Sequence, residues 1–531
     1  MYECRNCGGE LRFDIPSQKL KCSHCDGVFD PDSYDSDLFA EADKFEVNVF
    51  RCPNCGGQIS STNLSAVEYC PYCGRFSMPA SVKTEEKMPD GIMPFEVTAD
   101  EAKAAFKSYI GGNFYAPSRL KNDTFLNGFR GMYLPFWSYD ISFTKKPKIK
   151  KVYSEQSGGY IIKDTYEFTG DLDASYKGVA FDASSRFEDG LSRQALPYRD
   201  DKVRPFNPSY MFGFYGETAD IGPELYEEEA VEVATQDVFR QIDEAFPEDD
   251  LELPQNKFRR ASALGAAAGS ARCVMAPVWF LTWRHHDNVV YSIVNGQTGK
   301  AYSDIPVSIT KFLIGTILMT IPLFALFYFL LPTPSIYTML VLVAVIGLLS
   351  LLLYRNVSLE HFILREHLRD RGYLDRHPSP YDPEEYVKEN ADLLKKLKNI
   401  DISTTIWTAV ILVCCFGGNV MSIVTSLTRR QLRLVICLAI VAVMAFLMYS
   451  IFKSAAVTSR SQTALDIAGA AAAILIAFLV ILVNPVEDAV YYVAAILVIC
   501  GVLWTLMRLI RQYNTIATHP DPHFFEGRDA A

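Results

Sequence analysis

"ECRNCGGELR" at Glu3–Arg12 and "RCPNCGGQIS" at Arg51–Ser60 state one phrase twice, and their reading decides how the first eighty residues fold. Each opens a unit of the form CxxC, fourteen residues, CxxC: Cys4, Cys7, Cys22 and Cys25, then Cys52, Cys55, Cys70 and Cys73. The offset is constant, 52 − 4 = 48 and 73 − 25 = 48. A CxxC turn aims two sulfurs at one point, and two facing turns complete a tetrahedral shell of four thiolates about 2.3 Å from an ion. The spacer, "ELRFDIPSQKLK" in the first unit, suffices for a hairpin, as in a zinc ribbon. Gly8-Gly9 and Gly56-Gly57 free the backbone to leave the turn.

A ribbon this small has almost no core, so metal binding supplies its folding energy. The expectation is two structural Zn2+ sites in two independent modules, each filled by its own four cysteines. A disulfide framework and a rubredoxin-like iron site are the alternatives. His24, inside "CSHC", is surplus to a filled shell and is expected on the surface of its turn. A four-thiolate site has no open position and does no catalysis.

With 531 residues the chain exceeds one core and implies several domains. Its 51 Lys and Arg against 62 Asp and Glu give a net charge of −11, which disfavours a nonspecific nucleic-acid binder. Within residues 1–80 there are 7 basic and 12 acidic side chains, 7 − 12 = −5, and each zinc with four thiolates would add −2. Such a surface repels phosphate, so protein partners are expected before nucleic acid. The start "MYECRNCGGELRF" lacks a basic patch followed by an apolar run, so the N-terminus is expected in the reducing cytoplasm, where paired cysteines favour metal over disulfides.

The predicted organisation is a first ribbon over 1–30, an acidic linker over 31–47, a second ribbon over 48–80 and an α+β cytoplasmic region over 81–306. In that region Thr98 and Glu101 form a capping box before a helix, and "GMYLPFWSYDISF" reads as a strand with Pro135 at an edge or bulge. The order repeats: an amphipathic helix over Glu224–Phe246, then a strand and hairpin with turn signals at Asn295-Gly296 and Thr298-Gly299. Pro135-Phe136-Trp137 and Pro277-Val278-Trp279 lie 142 residues apart and suggest two related units, with Trp137 and Trp279 as core anchors; chance recurrence is the alternative. No catalytic grouping emerges. His285 and His286 read as a solvated strand end, and Asp140 and Asp304 as strand-ending residues that an unseen base could pair.

Six apolar runs follow, each long enough to span about 30 Å of hydrocarbon: 312–331, 336–354, 406–424, 434–452, 467–483 and 489–507. They predict a transmembrane hairpin over 307–356, a cytoplasmic helical insertion over 357–402, four transmembrane helices over 403–512 and a cytoplasmic tail over 513–531. Nine Lys and Arg between Arg355 and Ile400 put that loop on the ribbon side. "SLTRRQLR", with Arg429, Arg430 and Arg433, dissents from this topology. The spans carry few ionisable groups for a transporter. Asp466 sits near an interface, Asn419 reads as a helix-to-helix hydrogen bond, and "AGAAAA" reads as close helix packing.

The motifs "CRNCGGELRFDIPSQKLKCSHC", "DEAKAAFKSYIGGNFYAPSRLK", "GMYLPFWSYD", "RPFNPSYMFGFYGE", "APVWFLTW" and "NGQTGKAYSDIPVS" together resemble a bacterial family of transcription-factor-IIB-type zinc-ribbon membrane proteins. The family is often mislabelled replication factor Y-like helicase, yet no GxxxxGK[ST] loop occurs here. The resemblance covers residues 1–308 and implies a membrane-anchored protein of a family some of whose members are encoded near phage-shock-type or band-7 envelope proteins. The final apolar stretch faintly resembles the tails of TPM-domain membrane proteins. The fold class expected is thus multidomain: two small zinc ribbons, an α+β region and an α-helical transmembrane bundle. The function expected is a non-enzymatic scaffold at the cytoplasmic face of the bilayer. The rivals are a membrane-tethered nucleic-acid-binding regulator and a transporter or membrane enzyme with a zinc-stabilised domain.

Overall fold

The computed structural model describes residues 4–34, 44–61, 70–75, 81–145, 148–157, 160–169, 174–245, 251–252, 261–262, 264–285, 288–330, 460–483 and 485–519, with 347, 350–351, 353–354, 371–372, 522 and 524. The first ribbon contributes β1 (Leu11–Asp14), β2 (Lys19–Cys22) and β3 (Val28–Phe29). Then come β4 (Lys44–Arg51), β5 (Gln58–Ser61), β6 (Ser81–Lys87) and β7 (Gly91–Ile92). The α+β region continues with α1 (Ala99–Gly111), α2 (Asp123–Leu126), β8 (Arg130–Phe143), β9 (Lys148–Ser157), β10 (Tyr160–Thr169), β11 (Ser175–Asp182) and α3 (Asp189–Ala195). It closes with β12 (Arg204–Pro205), β13 (Tyr215–Gly216), α4 (Glu227–Ala245), β14 (Leu251–Glu252), β15 (Ala266–Ala268), β16 (Arg272–His285), β17 (Asn288–Asn295) and β18 (Ala301–Ser303). The apolar part supplies α5 (Ile309–Leu330), α6 (Arg460–Val483) and α7 (Asp488–Ile516).

The capping box is present: the Thr98 side chain accepts from Glu101 N, and the Glu101 carboxylate accepts from Thr98 N at 2.8 Å. It starts α1, whose Ala102, Phe106 and Ile110 are wholly buried. Twelve strands form one sheet, along the path β12-β7-β16-β8-β13-β5-β4-β6 with β11, β15, β17 and β18 attached.

The two strands carrying the repeated Pro-x-Trp motif are the centre of this sheet. β8 and β16 pair antiparallel, with Leu134 opposite Ala276. Those two residues are also 142 apart, so a local two-fold axis passes between them, and the flanking hydrogen bonds obey it. Trp137 Nε1 donates to Ile221 O at 2.9 Å, and Trp279 Nε1 to Val97 O at 2.8 Å. Pro135 O accepts from Ala183 N and Pro277 O from Gly296 N, while Ala183 O and Gly296 O each accept two N–H groups, from Asp220 and Ile221 and from Glu96 and Val97. The short strands match as well: β7 runs parallel to β16 with Gly91 opposite Val274, and β13 runs parallel to β8 with Tyr215 opposite Met132.

Both prolines stand inside central strands, not at the edge or bulge expected of Pro135. β8 pairs laterally with β13 at 132–133 and with β11 from Phe136 onward. Pro135 falls between these partners, where the missing N–H leaves no ladder bond unmade. Pro277 occupies the same gap between β7 and β17 on β16.

The helices cross the axis. Ala102, Phe106 and Ile110 of α1 share a core with Trp279, Leu281, Trp283, Val290 and Val294 of the second half. In return Tyr226 and the α4 residues Ala230, Ala234 and Val238 pack with Tyr139, Ile141, Phe143 and Phe181 of the first. At about 1.5–3 kcal/mol per buried large side chain, these faces weld the halves into one unit.

The second cysteine unit is not an independent module. β4 and β5 are strands of the large sheet, β5 pairing with β13 through Ser61–Tyr215 and Ser60–Gly216. The first ribbon keeps its own three-stranded sheet but docks onto the domain. Phe13 N donates to Phe212 O at 2.9 Å, Gln18 Nε2 to Phe95 O at 2.8 Å, and the Phe13 ring meets Tyr210 at 5.3 Å. The start of the acidic linker docks too, Asp32 accepting from Tyr210 at 2.6 Å.

Among the described residues, one helix is long and apolar enough to cross a membrane, over Ala489–Thr515. Ile309–Pro322 and Ala464–Val480 are shorter apolar stretches. The runs at 406–424 and 434–452, most of 336–354, "SLTRRQLR", Asn419 and most of the helical insertion lie outside the described residues. α6 and α7 approach closely at Gly469 and Gly501, where a Cβ on either would strike the other's carbonyl oxygen. Asp466 pairs with Arg508 at 3.4 Å and accepts from the Tyr354 hydroxyl at 2.9 Å.

Candidate metal centres

Four knuckles with one backbone pattern build the two sites. In each, the first cysteine N–H donates to the carbonyl five residues on, as Cys4 to Gly9, Cys22 to Gly27, Cys52 to Gly57 and Cys70 to Arg75. The N–H four residues on returns to that cysteine's carbonyl, from Gly8, Asp26, Gly56 and Gly74. Closing this loop requires a left-handed residue at that fourth position, and φ there is 69°, 55°, 77° and 64°. Glycine takes three of these places and Asp26 the fourth.

The eight predicted ligands gather as two groups, Cys4, Cys7, Cys22 and Cys25, and Cys52, Cys55, Cys70 and Cys73, each with its sulfurs within 4.8 Å of one another. Pairing is within each unit. Cys4 and Cys25 sulfurs lie 3.6 Å apart, Cys7 and Cys22 3.5 Å, Cys52 and Cys73 3.8 Å, Cys55 and Cys70 3.6 Å. A tetrahedron with 2.3 Å metal–sulfur bonds has edges of about 3.8 Å, so both cages fit a four-thiolate ion. At the first site, N–H groups of Cys25 and His24 hold the Cys22 thiol below its ordinary range, at about 6. His24 itself is exposed.

The sites differ in depth. Cys7 and Cys25 are exposed, whereas all four cysteines of the second site are buried. The covering residues come from far along the chain. The Thr282 hydroxyl donates to Pro71 O, Arg284 Nη1 to Cys73 O at 3.2 Å, and Tyr291 Oη to Tyr72 O at 2.8 Å. Gly57 admits the Tyr72 ring, because a Cβ there would lie 2.5 Å from Tyr72 Cδ2. The chain beyond α7 completes the cover: Phe524 N donates to Cys55 O at 2.6 Å and its ring sits 5.3 Å from Tyr72. No local pattern in the sequence marks Thr282, Tyr291 or Phe524 for this role.

That same tail carries His519, buried against Tyr291, with Nδ1 3.2 Å from Glu188 and Nε2 3.3 Å from Asp304. Asp304 therefore has a basic partner, and Asp140 has one in Arg272 at 3.6 Å. His285 packs edge-on to Trp283, and His286 lies outside the described residues. Trp137 and Trp279 are the anchors of the two-fold hydrogen-bond pattern.

The chain is similar to YdjG of Bacillus subtilis (strain 168), an uncharacterized protein, at 24% identity over 312 residues. The match covers 58% of this chain and 90% of that protein. No family model matches the chain, and no solved structure matches it.

Proposed function

We propose that the protein is a non-enzymatic scaffold anchored in a lipid bilayer, whose zinc-ribbon and α+β region recruits protein partners at the cytoplasmic face. Its setting would be envelope stress or membrane maintenance, as the resemblance to the transcription-factor-IIB-type zinc-ribbon membrane proteins suggests. The ion in both cages is Zn2+ in this proposal, because four thiolates with no open position suit a redox-inert tetrahedral ion.

One observation carries the anchoring. Val307 and Asn514 exchange two hydrogen bonds, Val307 N to Asn514 Oδ1 at 2.7 Å and Asn514 Nδ2 to Val307 O at 2.9 Å. The entrance to the first apolar helix and the exit from the last are thereby tied side by side at the foot of the sheet. An even number of crossings, with both termini on the ribbon side, satisfies that tie. The excess of carboxylates in residues 1–80 favours protein over nucleic acid as partner.

The test is crosslinking in intact cells followed by capture of the full-length protein from membranes. Specific proteins should be enriched, and enrichment should fall when Arg5, Lys19 and Lys21 on the exposed ribbon are replaced by Ala. Reproducible recovery of DNA or RNA with no enriched protein would overturn the proposal in favour of the tethered regulator.

A further inference from the structure

The two-fold pattern permits a position-by-position comparison of the halves, and they differ where the chain enters each helix. Met93 N donates to Met275 O at 2.9 Å, and Glu217 N donates to Tyr133 O at 2.9 Å. Met93 and Glu217 are therefore equivalent, as are Phe95 and Ala219 two residues on. In the first half Phe95 is wholly buried, its ring 5.2 Å from Trp279 and 4.4 Å from Phe214. In the second half the small Ala219 leaves the place beside Trp137 open. The result is a cleft of about 570 Å3 lined by Phe45, Trp137, Met211, Ala219 and Met275. That volume lies within the range of small-molecule sites.

The other exchange puts an acid into the wall, and burial with the neighbouring Asp220 pushes Glu217 well above the ordinary carboxylate range, so a cation in the cleft is what would hold it ionised. Glu217 is 1% exposed where the first half keeps a methionine. Its Oε1 accepts from Arg186 at 2.7 Å and from Thr218 N at 3.1 Å, while Oε2 has no hydrogen-bond partner among the described residues. Such a buried acceptor is destabilising while unpaired. Glu86, Asp90 and Glu224 also line the cleft, against the single ammonium of Lys87. Arg186 offsets part of this excess, but it is shared among Glu217, Asp220 and Glu86, and carboxyl groups remain in the majority. Cys273 lines the cleft as well, but burial and the nearby Asp90 push its thiol up to about 12, so it offers no thiolate for covalent capture.

We propose that this cleft is a binding site for a small organic ammonium compound, whose charged nitrogen bonds Glu217 and whose apolar body lies along Trp137, Met211 and Met275. One half of the repeat is thus plugged and structural, and the other is open and receptive. The site is separate from both metal cages and does not depend on the scaffold proposal.

The test uses the full-length protein in detergent micelles, titrated calorimetrically with 2-phenylethylamine and, in parallel, with the neutral 2-phenylethanol. The amine should bind at least roughly tenfold more tightly, as a charge-assisted hydrogen bond to a buried carboxylate requires. Ala219→Phe, which restores the plug of the other half, should abolish binding while leaving the thermal melt in place, and Glu217→Gln should erase the preference for the amine. The inference is overturned if the amine fails to bind the unaltered protein at millimolar concentration, if the alcohol binds equally, or if folded Ala219→Phe binds as before.

Discussion

Replacing Cys52 and Cys55 by Ser tests whether the second metal cage is a keystone or an appendage. Binding of a structural zinc contributes roughly 10–16 kcal/mol of apparent free energy at neutral pH, against a typical domain stability of about 5–15 kcal/mol. At the second site this energy cannot be lost locally, because β4 and β5 continue into β13 and β8, and because Tyr72, Thr282 and Tyr291 close over the cage. The double variant should therefore lose the near-ultraviolet circular dichroism of the whole sheet together with its metal. The matching variant of the first site, Cys4→Ser with Cys7→Ser, should retain one metal equivalent. It forfeits the docking of Phe13 and its neighbours, about 1.5–3 kcal/mol per large side chain, and leaves the twelve-stranded sheet cooperative. Metal content by elemental analysis and thermal unfolding of the purified full-length protein decide the matter. A Cys52→Ser/Cys55→Ser protein that lost one equivalent yet melted like the parent would refute the reasoning.

The depth difference also predicts two phases of metal release to a thiol-directed reagent, a fast one from the cage with exposed Cys7 and Cys25 and a slow one from the buried cage; a single phase of two equivalents would contradict this. Trp137→Phe and Trp279→Phe each leave a carbonyl, Ile221 O or Val97 O, without its indole donor and should cost about 1–3 kcal/mol apiece by denaturant unfolding; an unchanged midpoint in either variant would count against its hydrogen bond. Asp237 is held at about 2, below its ordinary 3.8, chiefly by Arg240 and also by Tyr176 and Gln241. A depressed carboxylate stabilises fully above 3.8 and less as pH falls toward 2, so Asp237→Asn should lower stability at neutral pH and converge with the parent as pH falls through that window; equal stability of the two at neutral pH would contradict this. His519→Ala should expose the segment after α7 to protease sooner, since it loses contacts to both Glu188 and Asp304; unaltered cleavage would show that the backbone bonds to Val289 suffice.

Local chemistry was readable from the sequence, and long-range pairing was not. The cysteine quartets follow from spacing alone, because a CxxC turn is complete within a few residues. The Thr98–Glu101 cap is equally local. By contrast, nothing near Gln58 announces that β5 will pair with Tyr215, since strand partners at that separation carry no period in common. This is why the second ribbon read as a free module. Pro135 read as an edge signal because its missing donor is usually tolerated there, and only the sheet shows the alternative of a gap between two lateral neighbours. The Pro-x-Trp recurrence hinted at a repeat, but the equivalence of Phe95 with Ala219 needs the hydrogen bonds to fix the offset, which is 124 there rather than 142. The apolar runs are visible to any hydropathy scale, yet of those described one helix has the length and composition to cross a bilayer.

The exchange of helices across the axis sets a timetable for synthesis. α1 finds its permanent seat on β17 and β18, so everything made before residue 288 waits with an apolar helix face uncovered. That wait ends at Ser303, only six residues before α5 begins. A nascent chain would therefore cover that face just as the first greasy segment leaves the ribosome, and a pause at that point would separate the two events.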